Sequence, residues 1–234
     1  MNFVVENLCK LNNGNRSLDD ISFNIKNNEI IGIKGPSHAG KSLLLRVLAG
    51  ITQSDFGNYR INGESVYPRS QKYKKQLGYL PQDAPIYSDL KTSEYVSLIA
   101  TLREFPLSSN LIDEVKSYSG IEKHWNTPIH ALSPSAKKCL SFIQCYLHNP
   151  KIVLLDSPFI GLESEHKSRV LAKILKEKHS TATLIVSHDT ELLNRHCDKI
   201  FFMEDGNLFQ NENDVVLPRG DHIDSHLQTP TTTL

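Results

Sequence analysis

The sequence has no excess of charge of either sign, since its 234 residues include 26 basic and 26 acidic side chains. Surfaces that bind nucleic acid normally show a basic excess, so this balance argues against a nucleic-acid partner. The sequence also contains no apolar run near the roughly 18 residues that cross a bilayer, and its N-terminus shows no signal-peptide pattern. We therefore expect a cytosolic protein.

Cysteine is scarce as well, with four in the chain. Their positions are Cys9, Cys139, Cys145 and Cys197. The intervals between them match neither a metal site nor a redox pair, so we expect reduced thiols. Apolar residues make up 39% of the chain, which is ordinary for a globular protein. A chain of this length allows one domain, or one domain with a large insertion.

One stretch carries the residue types of a phosphate-binding loop. Residues 35–42 fit the pattern G-x-x-x-x-G-K-[ST], which cradles the phosphates of a nucleotide. Its glycines let the backbone bend so that successive N–H groups converge on one anion. A helix that begins at the loop would add its positive dipole end. The candidate nucleotide-binding residues are Gly35, Pro36, Ser37, His38, Ala39, Gly40, Lys41, Ser42 and Leu43.

Two side chains of this loop have individual predicted roles. Lys41 is expected to reach the β and γ phosphates of a nucleoside triphosphate, and the Ser42 hydroxyl to coordinate Mg²⁺. An apolar strand at 30–33 and a helix at 43–49, closed by Gly50, flank the loop as the pattern requires. A glycine-rich turn can also bind nothing, but the strand and helix around this one favour a nucleotide site.

The rest of the chain alternates predicted strands and helices. Apolar and polar residues alternate at 3–8 and 21–25, which indicates half-buried antiparallel strands. Residues 151–156 form the most apolar predicted strand, as is typical at the centre of a parallel sheet. Ser133 suits the N-cap of a helix that has Pro134 at its first position. Further strands are predicted at 59–63, 77–82, 183–186 and 199–203, helices between 92 and about 118 and at 165–178, and an irregular basic stretch at 69–75. From about 211 the pattern fades into a tail, and we expect its Thr-rich end at 229–233 to be disordered.

The order of these pieces resembles the nucleotide-binding subunit of ATP-binding cassette (ABC) transporters, over about residues 3–208. Six landmarks carry the resemblance and follow the order of the family. They are residues 35–42 at Walker A, Gln82 at the Q-loop, Leu132 and Ser133 at the signature motif, residues 152–156 at Walker B, Gly161, Leu162 and Glu163 at the D-loop, and His188 at the switch histidine.

The resemblance implies an α/β fold with a RecA-like P-loop NTPase core, an antiparallel β lobe and an inserted α-helical lobe. It assigns residues 1–210 to one ABC ATP-binding domain and puts the helical lobe at about 83–148. Residues 211–234 would then form a C-terminal tail. The helical lobe is an expectation from the resemblance, whereas the start of the tail is placed where the residue pattern fades, at about 211.

The resemblance also implies ATP and Mg²⁺ as cofactors and assigns roles to individual residues. Ser42, Gln82 and Asp156 are the implied Mg²⁺ ligands, directly or through water. Gln82, His188 and the residue at position 157 are the implied catalytic residues. Considered alone, Asp156 could be a carboxylate that caps a helix, Gln82 a turn residue and His188 an ordinary loop histidine. Their joint order favours the functional interpretation.

At the catalytic position the sequence departs from the family. The family has a glutamate after the Walker B aspartate, where it polarises the attacking water, but this chain has Ser157 followed by Pro158. A hydroxyl of ordinary acidity cannot accept that proton at neutral pH, and a missing general base slows a reaction by roughly 10²–10⁴-fold. We expect slow hydrolysis in this chain's own site, with His188 only partly replacing the carboxylate by orienting water.

The signature motif is altered as well. The family sequence Leu-Ser-Gly-Gly-Gln is replaced by Leu-Ser-Pro-Ser-Ala at residues 132–136. Pro134 has no N–H to offer a phosphate, and the loss of one charge-assisted hydrogen bond costs about 1.5–3 kcal/mol. The Ser133 hydroxyl and the N–H groups of Ser135 and Ala136 are still expected at the helix N-terminus. We therefore expect Ser133 and Ser135 to form a weakened nucleotide contact.

Two further departures concern the base and the D-loop. The aromatic residue that stacks on adenine in the family should lie near Asn12, but residues 10–14 contain none. Stacking on a base is worth roughly 1–3 kcal/mol in nucleic-acid binding, so we expect reduced nucleotide affinity and base selectivity. Glu163 replaces the D-loop aspartate and keeps its charge.

In this family two subunits close head to tail over two ATP molecules, so each site combines the Walker motifs of one subunit with the signature motif of the other. In a heterodimer, the changes at Ser157 and Pro134 would fall in different sites. In a homodimer, both sites would carry both changes. The resemblance thus implies a heterodimer whose partner supplies the missing groups, or a homodimer that turns ATP over poorly. Integral membrane permease subunits are the other implied partners.

The leading hypothesis is the ATP-binding subunit of a membrane transporter, peripheral on the inner face of the cell membrane, in which dimer closure moves separate membrane-spanning chains. The alternative is an ATP-binding regulator or scaffold of the family without a transport role, which the altered motifs support. A co-purifying chain with several membrane spans would discriminate between them. Relatives in DNA repair and translation are disfavoured, because the chain shows no second cassette, long coiled coil or basic patch.

Overall fold

Strands with alternating burial and strands buried throughout lie in two different sheets. The computed structural model describes residues 1–210. Its strands are β1 (Asn2–Asn12), β2 (Asn15–Lys26), β3 (Ile30–Lys34), β4 (Phe56–Ile61), β5 (Glu64–Ser65), β6 (Leu77–Leu80), β7 (Ile152–Asp156), β8 (Ala182–Val186), β9 (Lys199–Glu204) and β10 (Asn207–Phe209). Its helices are α1 (Lys41–Leu48), α2 (Gln71–Lys74), α3 (Thr92–Leu102), α4 (Ser109–Ser119), α5 (Pro134–Tyr146), α6 (Ser164–Glu177) and α7 (Thr190–His196), with short 3₁₀ turns at Glu122–His124 and Ile129–Ala131.

The larger sheet has six strands in the order β10-β9-β3-β8-β7-β6. The five strands from β9 to β6 are parallel, and β10 pairs antiparallel with β9 at the edge. Every residue of β7 and β8 is buried, because apolar cores cover both faces of the sheet. Since ligands of open α/β sheets bind at the carboxyl ends of the strands, the loops after β3, β6, β7 and β8 are the place to look for a site.

The smaller sheet is antiparallel, in the order β2-β1-β4-β5. Its inward-facing residues, among them Phe3, Val5 and Ile21, pack with the buried side of α1 and one face of the parallel sheet in a single apolar core. The short α1 is therefore fixed between two sheets. Because α1 follows β3 through a loop of six residues, at 35–40, its N-terminus lies at the carboxyl edge of the parallel sheet.

Between β6 and β7 the chain forms a helical segment with a core of its own. Side chains of α3, α4 and α5 make up this core, including Tyr95, Val115 and Ile143. The opposite side of α5 contributes Phe142 and Tyr146 to the core on the outer face of the parallel sheet. α5 therefore connects the helical segment to the sheet.

The predicted fold class is confirmed, with a RecA-like parallel sheet, an antiparallel sheet and helices inserted before β7. The prediction of an irregular stretch at 69–75 was wrong, because part of it forms α2. Ser70 caps this helix by accepting a hydrogen bond from the Tyr73 amide at 3.3 Å. The buried Tyr73 hydroxyl donates to the Leu48 carbonyl at 2.7 Å. This contact with α1, and not a local pattern, stabilises a helix of four residues.

Two more elements differ from the expectation. The helical pattern between 92 and about 118 is split into α3 and α4, where Glu104 adopts a left-handed φ of 53°. The short α7 was missed, although Asp189 caps it by accepting a hydrogen bond from the Leu192 amide at 2.9 Å. The tail expected from about 211, with its disordered end, lies outside the described residues.

The four cysteines form no disulfide, as expected. Burial raises the pKa of Cys139, Cys145 and Cys197 to about 12. A thiol becomes a nucleophile or a metal ligand only as the thiolate, so these three side chains are inert near neutral pH. The chemistry of the chain therefore has to come from other residues.

Candidate nucleotide-binding site

A cavity of about 620 Å³ opens at the carboxyl edge of the parallel sheet. Ten of the predicted site residues line it, namely Ser37, His38, Gly40, Lys41, Ser42, Leu43, Gln82, Asp156, Ser157 and His188. They come from the loops after β3, β6, β7 and β8 and from the start of α1. Four segments that are far apart in sequence thus share one cavity. Gly35, Pro36 and Ala39 belong to the same loop but do not line the cavity.

The loop at 35–40 requires its two glycines for steric reasons. Gly35 and Gly40 have φ values of 150° and 101°, which L side chains rarely adopt. A Cβ on Gly35 would lie 2.0 Å from the Met203 carbonyl oxygen. A Cβ on Gly40 would lie 3.1 Å from the Ser17 carbonyl oxygen. The loop therefore packs directly on β9 and on the β1–β2 hairpin, which hold its shape.

The N-terminus of α1 has the features of an anion site. No side chain caps it, and Leu44 is the residue whose amide first bonds back to the Gly40 carbonyl, at 2.8 Å. The amides of Lys41, Ser42 and Leu43 precede that bond, so the helix itself offers them no carbonyl. Amides at this position, together with the helix dipole, suit the phosphates of a nucleotide.

Lys41 adds a buried positive charge to this site. Its side chain is 6% exposed, and its ammonium donates to the carbonyls of Gly35, at 2.9 Å, and of Pro36. Burial lowers the pKa of Lys41, and the charge of Asp156 acts in the opposite direction. A buried ammonium that meets mainly carbonyl oxygens gains by contact with an anion. The loop and Lys41 therefore fit a polyphosphate.

The end of β7 brings Asp156 and Ser157 to the cavity, each 3% exposed. Ser157 adopts a left-handed φ of 50°, and its amide donates to the Val186 carbonyl on β8 at 2.9 Å. Its hydroxyl donates to Asp156 Oδ1 at 3.4 Å. A left-handed residue other than glycine costs on the order of 1–3 kcal/mol, and such residues concentrate at functional sites. Position 157 therefore faces the site, but it carries a hydroxyl and no carboxylate.

The donors of the cavity fit a magnesium ion that is shared with a nucleotide. Within residues 1–210, no group of three or more His, Cys, Asp or Glu side chains could hold a metal ion by itself. Ser42, Gln82 and Asp156 do line the same cavity and all offer oxygen atoms. Mg²⁺ prefers oxygen ligands and commonly takes one or two carboxylates plus substrate phosphates. These three residues thus fit Mg²⁺ in company with a triphosphate.

Gln82 and His188 lie on opposite sides of this arrangement. Gln82 follows β6, and its carbonyl accepts a hydrogen bond from Lys138 on α5. His188 follows β8 and is exposed, and its carbonyl accepts a hydrogen bond from the Thr190 amide at 3.1 Å at the start of α7. The His188 ring is therefore carried on an anchored backbone at the rim of the cavity.

The structure keeps the predicted signature residues away from this cavity. Ser133 caps α5, as predicted, and accepts a hydrogen bond from the Ala136 amide at 3.2 Å. The expectation that the Ala136 amide is left for a phosphate is therefore wrong, because the cap already uses it. Ser133 and Ser135 begin α5 in the helical segment and do not line the cavity of their own chain.

Ser135 points into the protein, with its side chain 3% exposed. Its hydroxyl accepts a hydrogen bond from the Glu163 amide at 2.9 Å and lies 2.7 Å from His166 Nδ1. A glycine at this position could make neither contact. Ser135 therefore ties the start of α5 to the start of α6, a role that the sequence pattern did not predict.

Five residues that sequence analysis did not assign to the site complete the cavity wall. They are Arg16 and Ser17 on β2, Val186 at the end of β8, and Asp205 and Gly206 in the turn between β9 and β10. Arg16 forms an ion pair with Asp19, which raises the pKa of the Arg16 side chain through a hydrogen bond. The sequence analysis noted that residues 10–14 lack an aromatic side chain, but it assigned no residue of this wall to the site.

Comparisons with known proteins identify the family of the chain and agree with this fold. A model of the ABC transporter family matches residues 18–160. The chain therefore belongs to the ABC transporter family. Members of this family bind ATP in a P-loop NTPase domain and act as ATPases, and this chain is an ATP-binding subunit of that kind.

Individual relatives extend the match along most of the chain. The "Uncharacterized ABC transporter ATP-binding protein MJ1023" of Methanocaldococcus jannaschii is 31% identical over 206 residues, covering 86% of this chain and 74% of the relative. The "Probable sulfate/thiosulfate import ATP-binding protein CysA" of Chlorella vulgaris is 27% identical over 215 residues, covering 90% of both chains. Both similarities include the loop at 35–42 and the segment after β7.

Solved structures support the fold. A structure described as an ATP-binding subunit of an ABC transporter superposes with a TM-score of 0.80 at 21% identity, over 89% of this chain and 88% of that chain. A dimeric ATP-binding cassette in a post-hydrolysis state, bound to ADP and Pi, superposes with a TM-score of 0.76 at 21% identity, over 88% of this chain and 96% of that chain. At this level of identity the agreement concerns the fold alone.

Proposed function

We propose that this chain is the ATP-binding subunit of a membrane transporter that works by ATP-dependent dimer closure, with slow hydrolysis in its own site. The observation that carries this proposal is Ser157, which lies beside Asp156 in the cavity at the position where a general base is needed. The phosphate loop retains every residue type that binding requires. We therefore propose that this subunit retains ATP binding but hydrolyses ATP slowly.

ATP would be held mainly through its phosphates. The amides at the start of α1 and the Lys41 ammonium would contact the phosphate oxygens. Ser42, Asp156 and Gln82 would hold Mg²⁺, which when bound neutralises charge between the β and γ phosphates. Lys41 would exchange its bonds to the loop carbonyls for bonds to phosphate, which relieves the cost of its burial.

Slow hydrolysis follows from the acceptors available at the end of β7. The Ser157 hydroxyl donates to Asp156 and is too weak a base to take a proton from water at neutral pH. Asp156, as a metal ligand, would have little basicity left. His188 could orient a water molecule from the rim, which replaces only part of the function of a carboxylate. We propose that Ser157, His188 and Gln82 surround the γ phosphate without catalysing rapid turnover.

A second subunit is needed to complete the site. Ser133 and Ser135 are absent from the wall of the cavity in their own chain, although they occupy the signature position. We propose a head-to-tail dimer in which Ser133 and the start of α5 approach the nucleotide of the partner. Ser135 would contribute its backbone amide there, because its hydroxyl points inward and accepts a hydrogen bond from the Glu163 amide. A heterodimer would separate the changes at Ser157 and Pro134 into different sites, and a homodimer would combine them. A solved cassette of the same fold is dimeric, which supports a dimer for this chain.

The proposed surface for the membrane-spanning subunits is a groove of about 540 Å³ between the segment after β6 and α5. Its lining includes Gln82, Ile86 and Lys138, so the groove adjoins the nucleotide cavity through Gln82. We propose that residues 83–148 act as a helical lobe that transmits closure to this groove.

Within residues 1–210, no helix has the length and apolar character needed to cross a membrane. We propose that partner chains attach this subunit to the inner face of the cell membrane.

The test is purification of the tagged full-length chain from native membranes, with and without ATP, followed by identification of the chains that accompany it. Recovery with a chain that has several membrane spans, and formation of a dimer that requires ATP, is the expected result. Recovery of the chain without any membrane protein would contradict the transport role. It would favour the second candidate, an ATP-binding regulator or scaffold, which the Ser157 and Pro134 positions also permit.

A further inference from the structure

We propose that Arg16 is the base-contacting residue of the nucleotide site, and that its guanidinium stacks on the purine where relatives would use an aromatic ring. The proposal rests on the proposed function only in requiring that ATP bind in the cavity. It concerns a residue outside every motif that the sequence analysis singled out. Arg16 lies on the opposite strand of the β1–β2 hairpin from the position where the aromatic residue is missing.

The register of the hairpin puts Arg16 next to the phosphate loop. Leu11 pairs with Arg16, and Asn12 pairs with Asn15 at the turn. The carbonyl oxygen of the following residue, Ser17, lies 3.1 Å from the position of a Cβ on Gly40. The backbone that carries Arg16 therefore touches the loop that would hold the phosphates.

The composition of the cavity wall leaves the side formed by the β1–β2 hairpin and the β9–β10 turn for the nucleoside. Gln82, Asp156 and Ser157 come from the edge of the parallel sheet, where the terminal phosphate and Mg²⁺ are expected. Val186 and His188 lie on the same edge, at the end of β8. Apart from the phosphate loop and the start of α1, the rest of the wall is made by the hairpin and the β9–β10 turn, with Arg16 as its one arginine. A nucleotide whose phosphates lie on α1 can extend its base along that wall.

No competing platform for the base is present in the described part of the cavity. Its lining residues include no Phe, Tyr or Trp. The side chain of Arg16 is 63% exposed, so a ligand can reach it. A guanidinium is planar and stacks on aromatic faces, and arginine adds a cation–π term to base stacking.

Asp19 explains why the base, and not a phosphate, is the proposed partner of Arg16. The Asp19 carboxylate pairs with Arg16, and its amide donates to the Gly206 carbonyl at 2.9 Å, so its backbone is anchored. This carboxylate offsets the charge of Arg16 and would repel a phosphate at the same place. The paired guanidinium still presents its flat face to a stacking partner.

The experiment compares the affinities of ATP and inorganic tripolyphosphate by calorimetry, using the full-length chain in Mg²⁺ buffer. Arg16→Ala should weaken ATP binding by about 5–30-fold, the effect of losing one to two kcal/mol of stacking. Arg16→Lys keeps the positive charge but lacks the planar guanidinium, so it should weaken ATP binding to a similar degree. Arg16→Tyr should restore ATP binding, and tripolyphosphate binding should stay unchanged in all three variants.

The matched control is Arg60→Ala. Arg60 lies on β4 of the same sheet, pairs with Glu6 at 3.4 Å and does not line the cavity. Its replacement should leave both affinities unchanged. Unchanged ATP binding in Arg16→Ala would overturn the proposal, and so would an equal loss for tripolyphosphate, which would make Arg16 a phosphate contact. An unaltered chain that binds neither ligand would overturn the nucleotide site itself, and this proposal with it.

Discussion

The loop at 35–42 and the segment after β7 form two sides of one cavity, but they differ in chemical completeness. The loop retains both glycines, the buried Lys41 and an uncapped helix N-terminus. The end of β7 provides Asp156, and Ser157 follows it at the position where the proposed mechanism would need a general base. Phosphate binding depends on backbone geometry and charge, whereas hydrolysis depends on one basic oxygen. On the function proposed above, the single residue at position 157 would separate ATP binding from ATP hydrolysis.

The largest expected effect concerns the binding side. Lys41→Ala should weaken ATP binding by about 100-fold, because it removes charge-assisted hydrogen bonds to phosphate worth about 1.5–3 kcal/mol each. Calorimetry on the purified variant measures this change. Lys72→Ala is the control, since Lys72 is 77% exposed and pairs only weakly with Glu64 at 3.5 Å. An unchanged ATP affinity in Lys41→Ala would contradict the role of the loop in phosphate binding, and with it the main difference between the two regions.

The Arg16 variants sharpen the same comparison at the level of the base. Their predicted loss of about 5–30-fold for ATP, with no loss for tripolyphosphate, would divide the binding side into a phosphate part and a nucleoside part. Lys41→Ala should weaken both ligands. Arg16→Ala should weaken ATP alone, so the two variants together map where each part of the nucleotide lies.

Acid should act on the junction of α5 with the sheet, away from the phosphate loop. Burial, with help from the nearby charge of Arg103, lowers the pKa of His148 to about 4, and one His148 ring nitrogen, Nε2, lies 3.1 Å from the Leu77 carbonyl. In the unfolded chain, His148 takes up a proton near pH 6.5. The contribution of His148 to the free energy of unfolding is therefore fully present above that pH and is lost as the pH falls toward 4. Between pH 7 and pH 5 the loss from this group should be about 2 kcal/mol.

Urea unfolding of the unaltered chain and of His148→Gln at both pH values measures this effect. The variant should lose most of the pH dependence in this range, because glutamine does not titrate. Equal pH dependence in the two proteins would show that other groups cause it. His148 would then not be the residue that makes the junction of α5 with the sheet sensitive to acid.

The smallest expected effect concerns the tie between α5 and α6. Ser135→Ala leaves the Glu163 amide without its partner, but Glu163 is exposed, so water can replace the hydroxyl and the cost should be about 1 kcal/mol. Urea unfolding measures this cost. Ser168→Ala is the control, because Ser168 is exposed and bonds only to the Ser164 carbonyl within α6. A change in ATP affinity of the isolated variant would contradict the position of Ser135 outside its own cavity.

Sequence patterns predicted the sites that depend on spacing. The phosphate loop was predicted from its residue pattern, whereas Gln82, Asp156 and His188 were assigned through the order of motifs in the resemblance; the structure brings all of them to one cavity, because the carboxyl ends of parallel strands meet at one edge of the sheet. The α/β fold followed from the same strands. The domain boundaries and the roles of the site residues remain proposals.

What the sequence could not predict depends on tertiary contacts. The helix α2 has four residues, too few for a periodic pattern, and it is stabilised by the hydrogen bond of Tyr73 to Leu48. Arg16 joins the cavity only because the hairpin packs on Gly40. Ser135 turns inward because α6 begins beside it. None of these contacts leaves a trace in local spacing.

The most direct test of the account is ATP turnover by the purified chain, alone and with its co-purifying partners, beside Ser157→Glu and Ser157→Ala. We predict bound ATP with negligible turnover in the unaltered chain and in Ser157→Ala. Turnover should rise by at least about tenfold in Ser157→Glu, toward the roughly 10²–10⁴-fold that a general base supplies. Substantial turnover by the unaltered chain alone, with no gain in Ser157→Glu, would contradict the account, because another group such as His188 would then activate water.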